Sequence, residues 1–163
     1  MIAESLKPLV TPVAGLALLE GNPRRGDIRA VGASLEAFGQ RKPIVARRNG
    51  TVIAGNHTLQ AALELGWTEI AVVFVDDDDA TAKAFALADN RTAELGGYND
   101  LALIEFIGEV QACDAELLAA TGWSDADLVR LIAKGATPAE FDELDVDGLE
   151  TAHQCPKCGY EWS

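Results

Sequence analysis

The chain has 163 residues, with 13 Lys+Arg against 26 Asp+Glu, a formal charge of −13 and 48% hydrophobic residues. That length fits one compact domain with a short appendage, and the apolar fraction excludes a wholly disordered acidic chain. No stretch approaches the ~20 apolar residues of a membrane span. Met1 to Val10 lacks the apolar run of a secretory signal, and three cysteines do not make a disulfide framework, so a reduced, cytoplasmic location is expected.

The charge is uneven. Residues 1–60 hold eight basic residues (Lys7, Arg24, Arg25, Arg29, Arg41, Lys42, Arg47, Arg48) and four acids (Glu4, Glu20, Asp27, Glu36), a net of +4; the remainder is −17. Local potential, not total charge, decides where an anion docks. The cationic part of the chain therefore carries either an anion site or merely exposed cations.

In chain order, Leu9 to Val13 reads as a first strand and Gly15 to Glu20 as a helical turn. Gly21-Asn22-Pro23-Arg24-Arg25-Gly26 is a loop, punctuated by Pro and Gly. Ile28, Val31, Leu35 and Phe38 recur at helical spacing, with Asp27 at the start and Gly39 at the end. Pro43 to Ala46 and Thr51 to Ala54 form two strands around Asn49-Gly50, a strong hairpin signal.

A helix follows Gly55-Asn56-His57-Thr58 and ends at Gly66, and Ile70 to Val75 is a buried strand. Asp76 to Asp79 reads as a helix cap rather than a metal loop, which would need alternating ligands and a glycine. The next helix runs from Ala80 to about Arg91 and breaks at Gly96-Gly97. Asp100 caps a helix so apolar (Leu101, Leu103, Ile104, Phe106, Ile107) that burial against the sheet or a partner is expected. Ser124 and Asp127 have capping-box spacing before a last helix. Residues 135–152 are acidic and aperiodic, a linker.

Strand, Gly55-Asn56-His57-Thr58, helix is an arrangement with chemical potential. Gly55 allows a turn without a side chain in the way. The helix start aims free N–H groups and a positive dipole end outward, and His57 and Thr58 add donors, which suits a phosphate. Taken alone, the same four residues also read as a plain N-cap.

The order of short motifs is more specific than any one of them. Asn22-Pro23-Arg24-Arg25, Phe38-Gly39-Gln40, Pro43-Ile44-Val45, Val52 to His57, Ala61 to Gly66 and Ala86 to Asn90 follow one another. This succession resembles the N-terminal domain of the ParB/sulfiredoxin superfamily, in particular its phage-type "ParB-like nuclease" branch, over about residues 7–95. The resemblance implies a small α/β (α+β) mixed-sheet domain over 1–95, here followed by a helical extension at 96–134, the acidic linker at 135–152 and a tail at 153–163. It also implies a nucleotide pocket. Arg24, Arg25, Gln40, Gly55, Asn56, His57 and Thr58 would face phosphate, while His57, Asp89 and Asn90 would do acid–base or Mg²⁺ work beside a nucleoside triphosphate.

Departures limit the analogy. Segregation proteins carry Gly-Glu-Arg-Arg-x-Arg-Ala; Gly55 and Ala61 match it, but Asn56, His57, Thr58 and Gln60 replace the acid and all three arginines. Sulfiredoxins carry Gly-Cys-His-Arg; Gly55 and His57 match, but Asn56 has no thiolate, so reduction of a sulfinic acid by that route is excluded. No duplex-reading helix-turn-helix signal follows.

His153-Gln154-Cys155-Pro156-Lys157-Cys158-Gly159 resembles half a zinc ribbon. The turn presents two thiolates to one ion, and His153 is a candidate third ligand. A fourth is missing: two tails meeting across a dimer, a water, or a metal-free reduced tail all remain open. Trp67, Trp123 and Tyr98 read as core plugs, and Cys113 as an inert thiol among apolar helical residues.

Three functions follow. The first is a phage or mobile-element protein, in the host cytoplasm, that binds a nucleotide or nucleic-acid phosphate in a DNA transaction and in that branch is labelled a nuclease. The second is a Mg²⁺-dependent NTPase or small-molecule phosphotransferase. The third is a non-catalytic regulatory or adaptor protein that forms homo-oligomers through its C-terminal helices or tail. No membrane partner is expected.

Overall fold

The computed structural model describes residues 1–136 and 153–162. A 3-10 helix (Glu4–Leu9) leads into β1 (Val10–Pro12) and then β2 (Ala17–Leu18). Helix α1 (Ile28–Phe38) precedes the hairpin β3 (Ile44–Arg47) and β4 (Thr51–Ala54). Helix α2 (Asn56–Glu64), β5 (Glu69–Val75) and α3 (Asp79–Leu95) complete the first part of the chain. Helices α4 (Asp100–Cys113), α5 (Ala115–Ala120) and α6 (Asp125–Ala136) follow. The tail holds a short hairpin, β6 (His153–Gln154) with β7 (Glu161–Trp162).

The sheet order is β1-β5-β3-β4-β2, with β3 parallel to β5, β2 parallel to β4, and the other pairs antiparallel. This is the mixed α/β sheet expected from the sequence. Apolar residues from the central strands (Ile44, Ala46, Val52, Ile70, Val72) meet Leu35 of α1 and Leu59, Ala61 and Ala62 of α2 in one core, with Trp67 packed against it. Each fully buried aliphatic side chain contributes ~1.5–3 kcal/mol, so α1 and α2 are fixed on the sheet by the same layer that fixes β3 and β4.

Local chemistry sets the ends. The Asp27 carboxylate accepts from the N–H groups of Arg29 and Ala30, and Gly39 closes α1 with φ 69°. Asp78 accepts from Thr81 N–H at the start of α3, as the acidic run predicts, and the end of β3 and the turn after it hold that run: Arg47 reaches Asp79 and Arg48 reaches Asp76. Ser124 and Asp127 cap each other reciprocally before α6.

Some elements differ from expectation. The Gly15–Glu20 region is not a helical turn: a 3-10 turn (Val13–Gly15) is followed by β2, because Ala17 and Leu18 find parallel partners in Thr51 and Val52. Helix α3 runs to Leu95, past Arg91. Helix α4 is capped by Asn99, with Asp100 as its first residue, and it is not buried against the sheet. Ile107 is its buried residue, while Leu101 (76%) and Phe106 (68%) face solvent. Helix α5 is not marked by a periodic pattern in the sequence; it packs with α4 and touches α1. The expected linker lies outside the described residues, except that α6 extends through Ala136.

Candidate phosphate-binding cavity

The chain's turn from β4 into α2 is built around Gly55, at φ 88° and ψ 27°. A Cβ here would lie 2.5 Å from Ile44 Cγ2, so two requirements, a left-handed backbone and close approach to β3, converge on glycine. No side chain caps α2. The first backbone N–H groups of the helix, those of Asn56, His57 and Thr58, have no acceptor among the described residues, whereas Leu59 N–H already bonds Gly55 O at 3.0 Å. Such a helix start is a donor cluster with a partial positive charge.

A cavity of about 340 Å³ opens over this turn. Its floor is Gly55, Asn56, His57 and Thr58; Arg24 and Asn22 come from the loop before α1, Lys42 from the entry to β3, and Asp89 and Asn90 from α3. Val31, Ile44, Val45, Ile53 and Phe85 make the apolar walls. Phe85 keeps part of its ring exposed at the rim.

The Asn22–Asp27 loop lies on His57: a Cβ on Gly26 would come within 2.7 Å of His57 Nδ1. Asn22 Oδ1 accepts from Arg24 N–H and shapes the loop. The Arg24 guanidinium is paired with Glu94 of α3, which Arg91 also approaches at 3.5 Å. Arg25 does not line the main cavity. It lies in an adjoining depression with Arg24, Gly26, His57 and Gln60.

Two of the predicted phosphate ligands are structural. Gln40, 2% exposed, spends its whole amide inside the sheet. Nε2 donates to Lys42 O and Ala71 O, and Oε1 accepts from Ala71 N–H at 2.7 Å. It supplies an extra rung on β5 next to the first β3 pairing, Ile44 with Val72. Asn56 is buried, accepts from Leu19 N–H and donates to Val52 O, so its side chain ties the segment after β2 to the start of α2. Lys42 was missed by the sequence reading. It is a cavity-lining cation with no ion pair among the described residues, and the signal for it is the Arg41-Lys42 pair directly before the Pro43 strand entry.

Asp89 is exposed, and Asn90 Nδ2 donates to Ala86 O at 2.8 Å, which leaves its Oδ1 open. One carboxylate and one amide oxygen beside a phosphate site fit Mg²⁺, which takes one or two carboxylates and completes its shell with phosphate and water. Asp89 and Asn90 would hold the ion against the phosphates, and the ion would offset their negative charge. Among the described residues no group of three or more His, Cys, Asp or Glu side chains forms a protein-only metal cage.

At the tail, Cys155 N–H bonds Tyr160 O and Gly159 N–H bonds Cys155 O, closing the Cys-Pro-Lys-Cys-Gly turn with Gly159 at φ 75°. The backbone N–H groups of Lys157 and Cys158 push the Cys155 thiol below its ordinary value. His153 does not complete a three-ligand group with the two cysteines; its ring packs on Trp162 at 5.6 Å. Trp123 meets Tyr98 edge-to-face at 5.8 Å, and Cys113 is exposed rather than buried among apolar neighbours.

The chain thus combines a mixed α/β fold with an uncapped helix start, a glycine elbow between strand and helix, and a cavity lined by Arg24 and Lys42. The family described as the ParB N-terminal domain matches residues 23–91, from the Pro23-Arg24-Arg25 loop into α3. Over that stretch, under half of the chain, the sequence is similar to ParB N-terminal domains. In fold it is similar to the C-terminally truncated chromosome-partitioning protein ParB from Caulobacter crescentus complexed with CTP-gamma-S: TM-score 0.64, 19% identity, covering 80% of this chain and 79% of that one. The same Caulobacter protein complexed to the centromeric parS site gives a TM-score of 0.42 at 19% identity, over 80% and 73% of the two chains. A Pnob8-like ParB-N domain gives 0.45 at 19% identity, over 65% and 46%. No curated protein matches the chain.

Proposed function

We propose that residues 1–95 form a nucleotide-binding domain whose cavity takes the phosphates of a nucleoside triphosphate with Mg²⁺, in the service of a DNA transaction in the cytoplasm. The observation that carries this reading is the convergence of Arg24, Lys42, the free N–H groups of Asn56, His57 and Thr58, and Asp89 with Asn90 on one cavity. The fold likeness to a ParB complexed with CTP-gamma-S supports it. The His57 ring and Thr58 hydroxyl add donors at the floor, and Phe85 offers the base an aromatic face at the rim.

A second reading, an NTPase or phosphotransferase, is favoured by Asp89 standing in the same cavity as the phosphate donors, where it would orient an attacking hydroxyl or water. A nuclease has no comparable support: Asp89 is the sole carboxylate among the residues lining the cavity. The test is a melting-temperature panel with ATP, CTP, GTP and ADP plus Mg²⁺, followed by phosphate release. Binding at a hundred times Kd stabilises by ~2.7 kcal/mol, and turnover then separates enzyme from sensor. Plasmid and single-stranded DNA in the same buffer test the DNA role. Separately, we propose Cys155 and Cys158 as zinc ligands.

A further inference from the structure

Resting on the zinc reading of Cys155 and Cys158, we infer that the metal is shared between two copies of this chain, each supplying Cys155 and Cys158 to one four-thiolate site. The hairpin of β6 and β7 holds the two cysteines at the ends of one tight turn, with Cys155 anchored on both sides by backbone hydrogen bonds to Tyr160 and Gly159. A turn of this kind presents two sulfurs to one ion, whereas a closed structural zinc site takes four ligands in a tetrahedron. Among the described residues, no other thiol or imidazole joins Cys155 and Cys158 in a three-ligand group. The chain's 163 residues hold three cysteines and two histidines. Cys113 sits in α4, His57 lies under the Gly26 loop, and His153 packs on Trp162.

A two-fold axis through the metal repeats the same half-site and completes the tetrahedron with no other partner, the self-complementary geometry of a symmetric dimer. Four thiols release four protons as one Zn²⁺ binds, so the loaded site carries a charge of −2 and its affinity falls with acid. The exposed Lys157 beside the turn in each copy offsets that charge.

The test uses the full chain. Zinc is measured per chain, cobalt is then substituted to read the ligand set from its visible absorption, and mass in solution is followed with and without a chelator. The expected result is one metal per two chains, a four-thiolate cobalt spectrum, and loss of the metal in the Cys155→Ser/Cys158→Ser variant while its nucleotide-induced melting shift stays that of wild type. One metal per chain with a two-thiolate spectrum would overturn the shared site and leave the zinc reading standing. No metal in wild type, or metal retained by the double variant, would overturn both.

Discussion

Replacing Gly55 with alanine puts a methyl group where the elbow has none. Alanine at φ 88° costs ~1–2 kcal/mol for the left-handed backbone. Its Cβ would stand 2.5 Å from Ile44 Cγ2, and overpacking of a tight core site costs a further ~1–3 kcal/mol. The sum, ~2–5 kcal/mol, lowers the melting temperature by roughly 5–20 °C at the ~2–4 °C per kcal/mol typical of chains of this size. The two contributions separate in a double-mutant cycle. Ile44→Ala is itself destabilising, but in its background Gly55→Ala no longer meets Cγ2 and keeps only the 3.0 Å approach to the Cβ of residue 44, so urea denaturation yields a favourable coupling of up to ~1–3 kcal/mol. A melting temperature for Gly55→Ala within about 2 °C of wild type, or a coupling near zero, would refute the assignment of this glycine to both strain and close approach.

Further outcomes follow from single contacts. Gln40→Leu leaves the N–H and C=O of Ala71 without their amide partner and costs ~2–4 kcal/mol in urea denaturation, with nucleotide affinity of the remaining folded protein unchanged; a selective loss of affinity would return Gln40 to the site. Glu94→Gln frees Arg24 from its ion pair and tightens nucleotide binding up to about fivefold at low salt, since an exposed pair is worth at most ~1 kcal/mol; titration calorimetry reads it, and weaker binding would contradict it. Asp78 is held below the usual carboxylate range chiefly by the Thr81 backbone N–H, and Asp127 by Ser124. A depressed folded-state value means that their contribution is full above the unfolded value and is lost as pH falls through the folded one. The melting temperature therefore drops below about pH 4, and Asp78→Asn, which keeps a cap acceptor without titrating, flattens that acid limb; an unchanged limb would count against the cap.

What could be read in the sequence was whatever local chemistry encodes. Asp27 and Gly39 bracket α1, Asn49-Gly50 fixes the hairpin, Gly55 marks the elbow, and Ser124 with Asp127 opens α6, because each acts within a few residues. The motif order placed Arg24, His57, Asp89 and Asn90 around one site, and the cavity brings them together. What escaped depends on distant partners. Strand β2 is two residues long and exists because β4 pairs with it. Helix α4 looked like a buried helix because composition does not say what covers a face. Gln40 and Asn56 looked like ligands until the backbone groups of Ala71, Leu19 and Val52 proved to occupy their amides, and Lys42 gained its place from the fold of β3 beside α2.

The most direct test of the phosphate cup is calorimetric titration of the wild-type chain and of Arg24→Ala/Lys42→Ala with nucleoside triphosphates and Mg²⁺. Saturable binding by wild type that weakens at least about tenfold in the variant, roughly the loss of one charge-assisted hydrogen bond, is the predicted result. Heats no larger than dilution for every nucleotide, or equal affinity in wild type and variant, would contradict it.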